Sequence, residues 1–399
     1  MHRAPAWLFT LLSATFVLYT DDYVIAGILP ELAHDLNVSE GQAGQLVTVF
    51  SLTVAVAAPV AAVAFARLPR RPLFVVALLV FAGANLTAAA TPSFTVLLGL
   101  RVVAAAAAAS MTPAAFAFAA MHAPKGRAGR YIAVVSLGVT GSIAAGVPLG
   151  TWIGGALGWR ATFVTASAAG LCVLVAALAT LPRRHRLEDV PRLGEQLRTL
   201  RRPAISLGLL ANTALMTGSM MMLTYLAPYL AEAAAAGVNE RAFVFGLSGC
   251  AGILGIWLGG SATDRWGPDR TLTFGIGVFL ATMLGLWGLW LLRPAPAPLI
   301  YAVAAVWGGI AFWNSPAIQA RLHILAGPVA PQALALNTSG TYLGVAIGGA
   351  VGGTTLASVG VGALPLVAAV FGTSAIVLLL SANRASDPHD SRTASKQYR

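Results

Sequence analysis

Apolar runs long enough to cross a bilayer recur along the whole chain, broken by short polar turns. They fall at about 7–30, 42–66, 72–91, 94–121, 131–155, 159–181, 204–230, 242–264, 271–292, 298–320, 332–357 and 360–382. A helix needs about 20 apolar residues to span the hydrocarbon core, so the pattern predicts twelve transmembrane helices. The spans divide six and six around an arginine-rich segment, 183–203. The halves are related in sequence. Gly146-Val-Pro-Leu-Gly-Thr-Trp-Ile-Gly-Gly155 returns as Gly344-Val-Ala-Ile-Gly-Gly-Ala-Val-Gly-Gly353, an offset of 198 that also carries Pro30 to Pro228 and Arg67 to Arg265. Parallel repeats of this kind characterise transporters whose halves rock around a site near the membrane midplane. The expected organisation is a six-helix bundle over 1–182, a linker over 183–203, a second bundle over 204–383, and a disordered polar tail over 384–399.

Composition removes the soluble alternatives. The chain is 57% apolar and 10% charged, against about 25% charged in soluble domains, and its mean hydropathy is +0.78. The net charge of +11 would suggest nucleic acid, but its distribution follows topology. With the N-terminus inside, every Lys and Arg except Arg101, Arg160, Arg241 and Arg293 lies on the cytoplasmic side. This is the positive-inside bias, and it places both termini in the cytoplasm. Met1–Arg3 resembles the start of a secretory leader. Asp21 and Asp22 inside the run, and the lack of a small-residue cleavage site, argue against cleavage. Cys172 and Cys250 fall within spans, giving no disulfide or zinc pattern. No phosphate-binding loop is present, so the expected driving force is a proton gradient, with no cofactor. The expected partners are a small-molecule substrate, protons and the lipid of the plasma membrane, with no nucleic acid, and the expected state is a monomer.

Charge deep in a membrane is a functional signal. Asp21, Asp22 and Arg101 lie well inside spans. Asp22 sits roughly 6 Å beyond the middle of the first span, and Arg101 roughly 7–8 Å toward the same face in the fourth. Matching depth predicts an Asp22–Arg101 pair that exchanges a proton as the halves move, because burial favours a neutral acid and a guanidinium favours its anion. Asp21 points about 100° away and is the alternative partner.

Two glycine patterns predict close helix contacts. Gly146, Gly150 and Gly154 share one helix face, as do Gly344, Gly348 and Gly352, and such spacing lets backbones approach. Pro148 is expected to kink the fifth span. At the inner end of span eight, Gly260, Asp264, Arg265, Gly267 and Arg270 form a compact turn with latch chemistry. Its first-half counterpart is Arg67-Leu-Pro-Arg70-Arg71, with Ala66 in place of the aspartate. Candidate cavity residues are Asn212, Met216, Met220 and Tyr225 on span seven, Trp313 and Asn314 on span ten, and Asn337 and Tyr342 on span eleven. Thioethers and aromatic rings adapt to varied apolar guests.

Together these motifs resemble the major facilitator superfamily, and within it the bacterial twelve-span drug–proton antiporters. Gly260 through Arg270 resembles the family loop signature Gly-x-x-x-Asp-Arg-x-Gly-x-x-Arg. Gly146-Val-Pro148-Leu-Gly150 with Gly158-Trp159-Arg160 resembles the fifth-span antiporter motif and the entry to span six. Asp22 through Pro30 resembles the first-span pattern, and Arg101 matches the fourth-span arginine tied to proton coupling. The chain departs at Ala62, Ala66 and Ala105, where the family usually has Gly, Asp and Gly. The resemblance implies an all-α fold of two homologous six-helix bundles and proton-coupled efflux of small, largely apolar compounds. Export of a polar metabolite is the alternative, and several of Asn212, Asn314, Gln319 and Asn337 converging on one site would favour it.

Overall fold

A computed structural model describes residues 5–65, 68–124, 127–182 and 200–385. The predicted linker core 183–199 and the tail from 386 onward lie outside the described residues, as do Ala66 and Arg67. The first half comprises Ala6–Asp35 (α1), Gln45–Ala64 (α2, preceded by the single turn Glu40–Ala43), Arg70–Ala90 (α3) and Phe94–Met121 (α4). Then come Ala128–Gly141, a π-helical turn Ser142–Gly146 and Val147–Leu157, together α5, and Trp159–Thr180 (α6). The second half comprises Pro203–Thr224 continued as Leu226–Ala234 (α7), Val238–Trp266 (α8), Pro268–Leu291 (α9), Ala297–Ala326 (α10), Ala330–Ser358 (α11) and Leu364–Arg384 (α12). No strand occurs among the described residues.

Eleven of these segments are long and apolar enough to cross a membrane. The remaining one, α11, is 29 residues long, but its glycines, threonines and Asn337 dilute its apolar character. Large apolar side chains such as Leu79, Val175, Trp257 and Val370 are exposed on the outside of the bundle, which suits lipid rather than water.

The repeat is visible in the packing. In the first half α1 packs on α5 and α6, α2 on α4, and α3 on α4 and α6. In the second, α7 packs on α11 and α12, α8 on α10, and α9 on α10 and α12. Each pairing maps onto its counterpart through the sequence repeat. The halves meet along two equivalent seams, α2 with α11 and α5 with α8.

The seams are closed at one end. Away from the chain termini, Ile25, Ile28, Leu29, Leu46, Val47 and Val147 of the first half join one apolar cluster with most of the second half. Nearer the termini the first half has a separate core of Leu11, Leu18, Phe50, Phe74, Phe118 and many alanines. Glu31 of α1 and Arg241 of α8 form an ion pair between the halves at the closed end. In α5 the π turn precedes Pro148, which cannot donate to the Ala144 carbonyl. That turn lies against Gly249 of α8, where an added Cβ would sit 2.4 Å from the Ala144 Cα.

Candidate functional site

The middle of α1 brings two adjacent carboxylates into the protein interior, and α4 brings a guanidinium to meet one of them. Arg101 donates through one terminal nitrogen to Asp21 Oδ2 at 2.7 Å and through the other to the Asp21 carbonyl at 3.0 Å. Its guanidinium carbon lies 4.3 Å from the ring centroid of Phe50 on α2. Arg101 and Asp21 are each 1% exposed. The partner of Arg101 is thus Asp21, not Asp22 as matching depth predicted. Both aspartates have the right depth, so the rotation of α1 against α4 decides between them. That rotation turns Asp21 toward α4 and leaves Asp22 facing the space between the halves.

Asp22 is equally buried, at 2% exposure, yet neither carboxylate oxygen has a hydrogen-bond partner among the described residues. It borders two cavities. One lies toward the termini and is lined by Asp22 with Tyr19, Phe50, Val54, Thr112, Thr338 and Tyr342, among others. The other lies toward the closed end, against Tyr23, Val47, Met220, Leu223, Thr224 and Val345. The walls are aliphatic, aromatic and thioether, with hydroxyls at Tyr19, Tyr23, Thr112, Thr224, Thr338 and Tyr342. Apolar walls with a few fixed polar groups are the usual make-up of a small-molecule site.

Of the cavity residues expected from sequence, Met220 and Tyr342 line these spaces. Met216 packs against Gly344 of α11. Asn212 donates to Asn337 Oδ1 and to Thr341 Oγ1, both at 3.1 Å, so the two amides converge and bond to each other. Three residues lie elsewhere. Tyr225 is fully buried and donates to the Gly349 carbonyl at 2.7 Å. The indole of Trp313 donates to the Thr271 carbonyl at 3.1 Å and sits against Trp266 and Phe274. Asn314 turns back on its own helix, donating to the Ile310 carbonyl at 3.3 Å, and faces Gly275. In each case a backbone carbonyl takes the polar tip, and α10 turns Trp313 and Asn314 toward α9 rather than inward. Sequence reading missed Tyr19, Phe50 and Thr338. Tyr19 carried a usable signal, because it sits three residues before Asp22 on the same helix face.

The glycine faces make close helix contacts, and they make them within each half. Cβ atoms added at Gly146, Gly150 and Gly154 would lie 2.0, 2.3 and 2.4 Å from side-chain atoms of Thr20, Val24 and Ile28 on α1. Gly344, Gly348 and Gly352 meet α7 in the same way. These contacts hold each half together. Across the seam, α5 presents Pro148 to Gly246 and Gly155 to Val238 of α8. In the loop after α8, Gly267 takes the left-handed conformation at φ +80° that a tight turn requires, and Gly260 faces open space. Asp264, Arg265 and Arg270 are exposed. Among the described residues the carboxylate that forms this loop's ion pair is Asp269, which accepts from Arg321 Nε at 2.8 Å. Arg321 also donates to the Ala204 carbonyl and Asn383 Oδ1, so it ties together the ends of α7, α9, α10 and α12.

Comparison with known proteins places this arrangement. The YbcL transporter of Bacillus subtilis is 30% identical over 375 residues, covering 94% of each chain. A chloramphenicol resistance protein of Streptomyces lividans is 31% identical over 355 residues, covering 88% of this chain and 89% of its own. The nucleoside transporter NupG superposes with a TM-score of 0.76 at 11% identity, covering 96% of this chain and all of its own. A D-xylose–proton symporter superposes at 0.73 and 13% identity, covering 94% and 96%. The family profile of the Major Facilitator Superfamily matches residues 11–328. With that match, two relatives across nearly the full length and a twelve-helix repeat closing on a central cavity, this chain belongs to the Major Facilitator Superfamily and is a multi-pass membrane transporter.

Proposed function

We propose that the transporter exports small, largely apolar compounds in exchange for protons moving inward, working as a monomer with both termini in the cytoplasm. The observation that carries this reading is Asp22. The Asp21–Arg101 pair is electrically balanced, so the neighbouring carboxylate holds the surplus charge of the site. One proton on Asp22 balances the centre, and a guest occupying the adjacent cavity changes what surrounds that proton. An apolar wall of Phe50, Val54, Met220 and the tyrosines suits an uncharged, lipophilic guest. The chloramphenicol resistance of the Streptomyces relative supports the same substrate class. The drive is sufficient. One proton crossing 100 mV yields about 2.3 kcal/mol and one pH unit about 1.4, enough together for a substrate gradient of several hundredfold.

The test is proton release from energised everted vesicles as lipophilic antibiotics, dyes, sugars and nucleosides are added in turn. A response to lipophilic compounds that disappears in Asp22→Asn is expected. An undiminished response in that variant would overturn the coupling role. The paired amides Asn212 and Asn337 beside Thr341 favour a second reading, export of a polar metabolite. A response confined to a sugar or nucleoside would select it.

A further inference from the structure

Tyr225 interrupts α7 between Thr224 and Leu226 and reaches out of its own half. Its side chain lies in a socket made of glycines. A Cβ added at Gly44, where α2 begins, would lie 1.9 Å from the Tyr225 hydroxyl oxygen. On α11, one at Gly352 would lie 2.4 Å from the ring, and one at Gly353 would lie 2.9 Å from the same oxygen. The hydroxyl itself donates to the Gly349 carbonyl. Next to the socket, Gly41 and Gly353 approach so closely that a Cβ on either would meet the other's carbonyl oxygen at 2.7 Å. The phenol, carried by α7, therefore touches α11 and the start of α2 at once, at the closed end of the α2–α11 seam. Gly44 belongs to the opposite half from α7 and α11, so the halves cannot part at this end without drawing Gly44 off the tyrosine.

We infer that Tyr225 is the gate at the closed end, a knob whose fit against Gly44 holds the halves together on the side away from the chain termini. Within the second half, the bond to Gly349 orients the knob. Across the seam, the missing side chain at Gly44 admits it. Side-chain bulk at position 44 displaces the phenol and shifts the population toward a form open at that end. This inference needs only that the halves move, and is independent of substrate and of proton coupling.

The experiment uses full-length protein with Cys172 and Cys250 replaced by serine and one reporter, Val345→Cys, in the cavity next to the closed end. A membrane-impermeant thiol reagent is applied separately to right-side-out and everted vesicles. Gly44→Ala is expected to raise labelling from the face away from the termini by about tenfold, a modest shift between two conformations. Its effect is expected to vanish in a Tyr225→Ala background, where there is no knob to displace. Tyr225→Phe keeps the ring and is expected to raise labelling roughly three- to tenfold, the weight of one buried hydrogen bond. Gly83→Ala, at a site with open space around it, should change nothing. Unchanged labelling in both Gly44→Ala and Tyr225→Phe would overturn the inference. So would a Gly44→Ala effect of equal size with and without the Tyr225 side chain. Should Gly44→Ala fail to fold, Tyr225→Phe decides alone.

Discussion

In the first half of the molecule the middle of α1 carries Asp21 and Asp22, and 198 residues later the middle of α7 carries Ser219 and Met220. A second pair of equivalent sites differs in size rather than charge. Gly27 of α1 meets Thr151 of α5, whereas Tyr225 of α7 meets Gly349 of α11. Both contacts keep a glycine on one side, but the bulk has changed helix. The helix pairings of the two halves are the same, so the repeat supplies the mechanics and departures from it supply the chemistry. Placing the carboxylates in one half avoids desolvating a second set of charges. It also leaves the other half free to supply an adaptable wall at Met220 and a seal at Tyr225.

The sharpest way to break this comparison is to remove the surplus charge. Asp22→Asn should lower uphill export by about two orders of magnitude, roughly the gradient that one proton sustains, while the protein inserts normally. Accumulation of a fluorescent substrate in everted vesicles reads this directly. Asp21→Asn should act on stability instead. It removes the charge that balances Arg101, leaving that guanidinium only its bond to the backbone carbonyl of residue 21, and losing the charged partner of a buried pair costs about 3–5 kcal/mol. Ser219→Ala, at the equivalent site, should cost far less. Thermal unfolding in detergent separates the two, and an Asp21→Asn protein of native stability but without export would exchange the roles assigned to the aspartates. Next in size are Gly150→Leu and its mate Gly348→Leu. Each overpacks a helix contact within its own half, at about 1–3 kcal/mol, and each should also block flux. Normal transport by either would show that the glycine faces are not equivalent. Smallest is Tyr229→Phe, which loses the bond to the Leu286 carbonyl at about 0.5–1.5 kcal/mol. It should leave reporter labelling unchanged, in contrast to Tyr225→Phe.

Run length and a 198-residue repeat were enough to anticipate the helices and the pairing of halves, because span length and symmetry are one-dimensional properties. The three buried charges were legible for the same reason, since depth along a helix follows from counting. Choosing between Asp21 and Asp22 was a different problem. It depends on the rotation of α1 against α4, and α1 is apolar nearly all round, so no polar face discloses that rotation. Tyr225 looked like a cavity residue because tyrosine suits cavities. Its actual place is set by glycines more than 120 residues away on α11 and by Gly44 in the other half. In the loop after α8, Gly267 was readable as a turn, but the partner of Arg321 was Asp269 rather than the motif's Asp264, a choice fixed by how α10 packs on α9.

The contact between Arg101 and Asp21 also bears on how the protein is made. A lone charged residue at the centre of a membrane helix costs about 2.5–3.5 kcal/mol at insertion, and α4 carries Arg101 while α1 carries two aspartates. Both helices are apolar enough to span a membrane, but each carries buried charge whose cost falls once the other is there to pair with it. Because α1 is synthesised before α4, the aspartates are already in place when Arg101 arrives, so the ion pair lowers the cost of placing α4 as well as holding the finished transporter together.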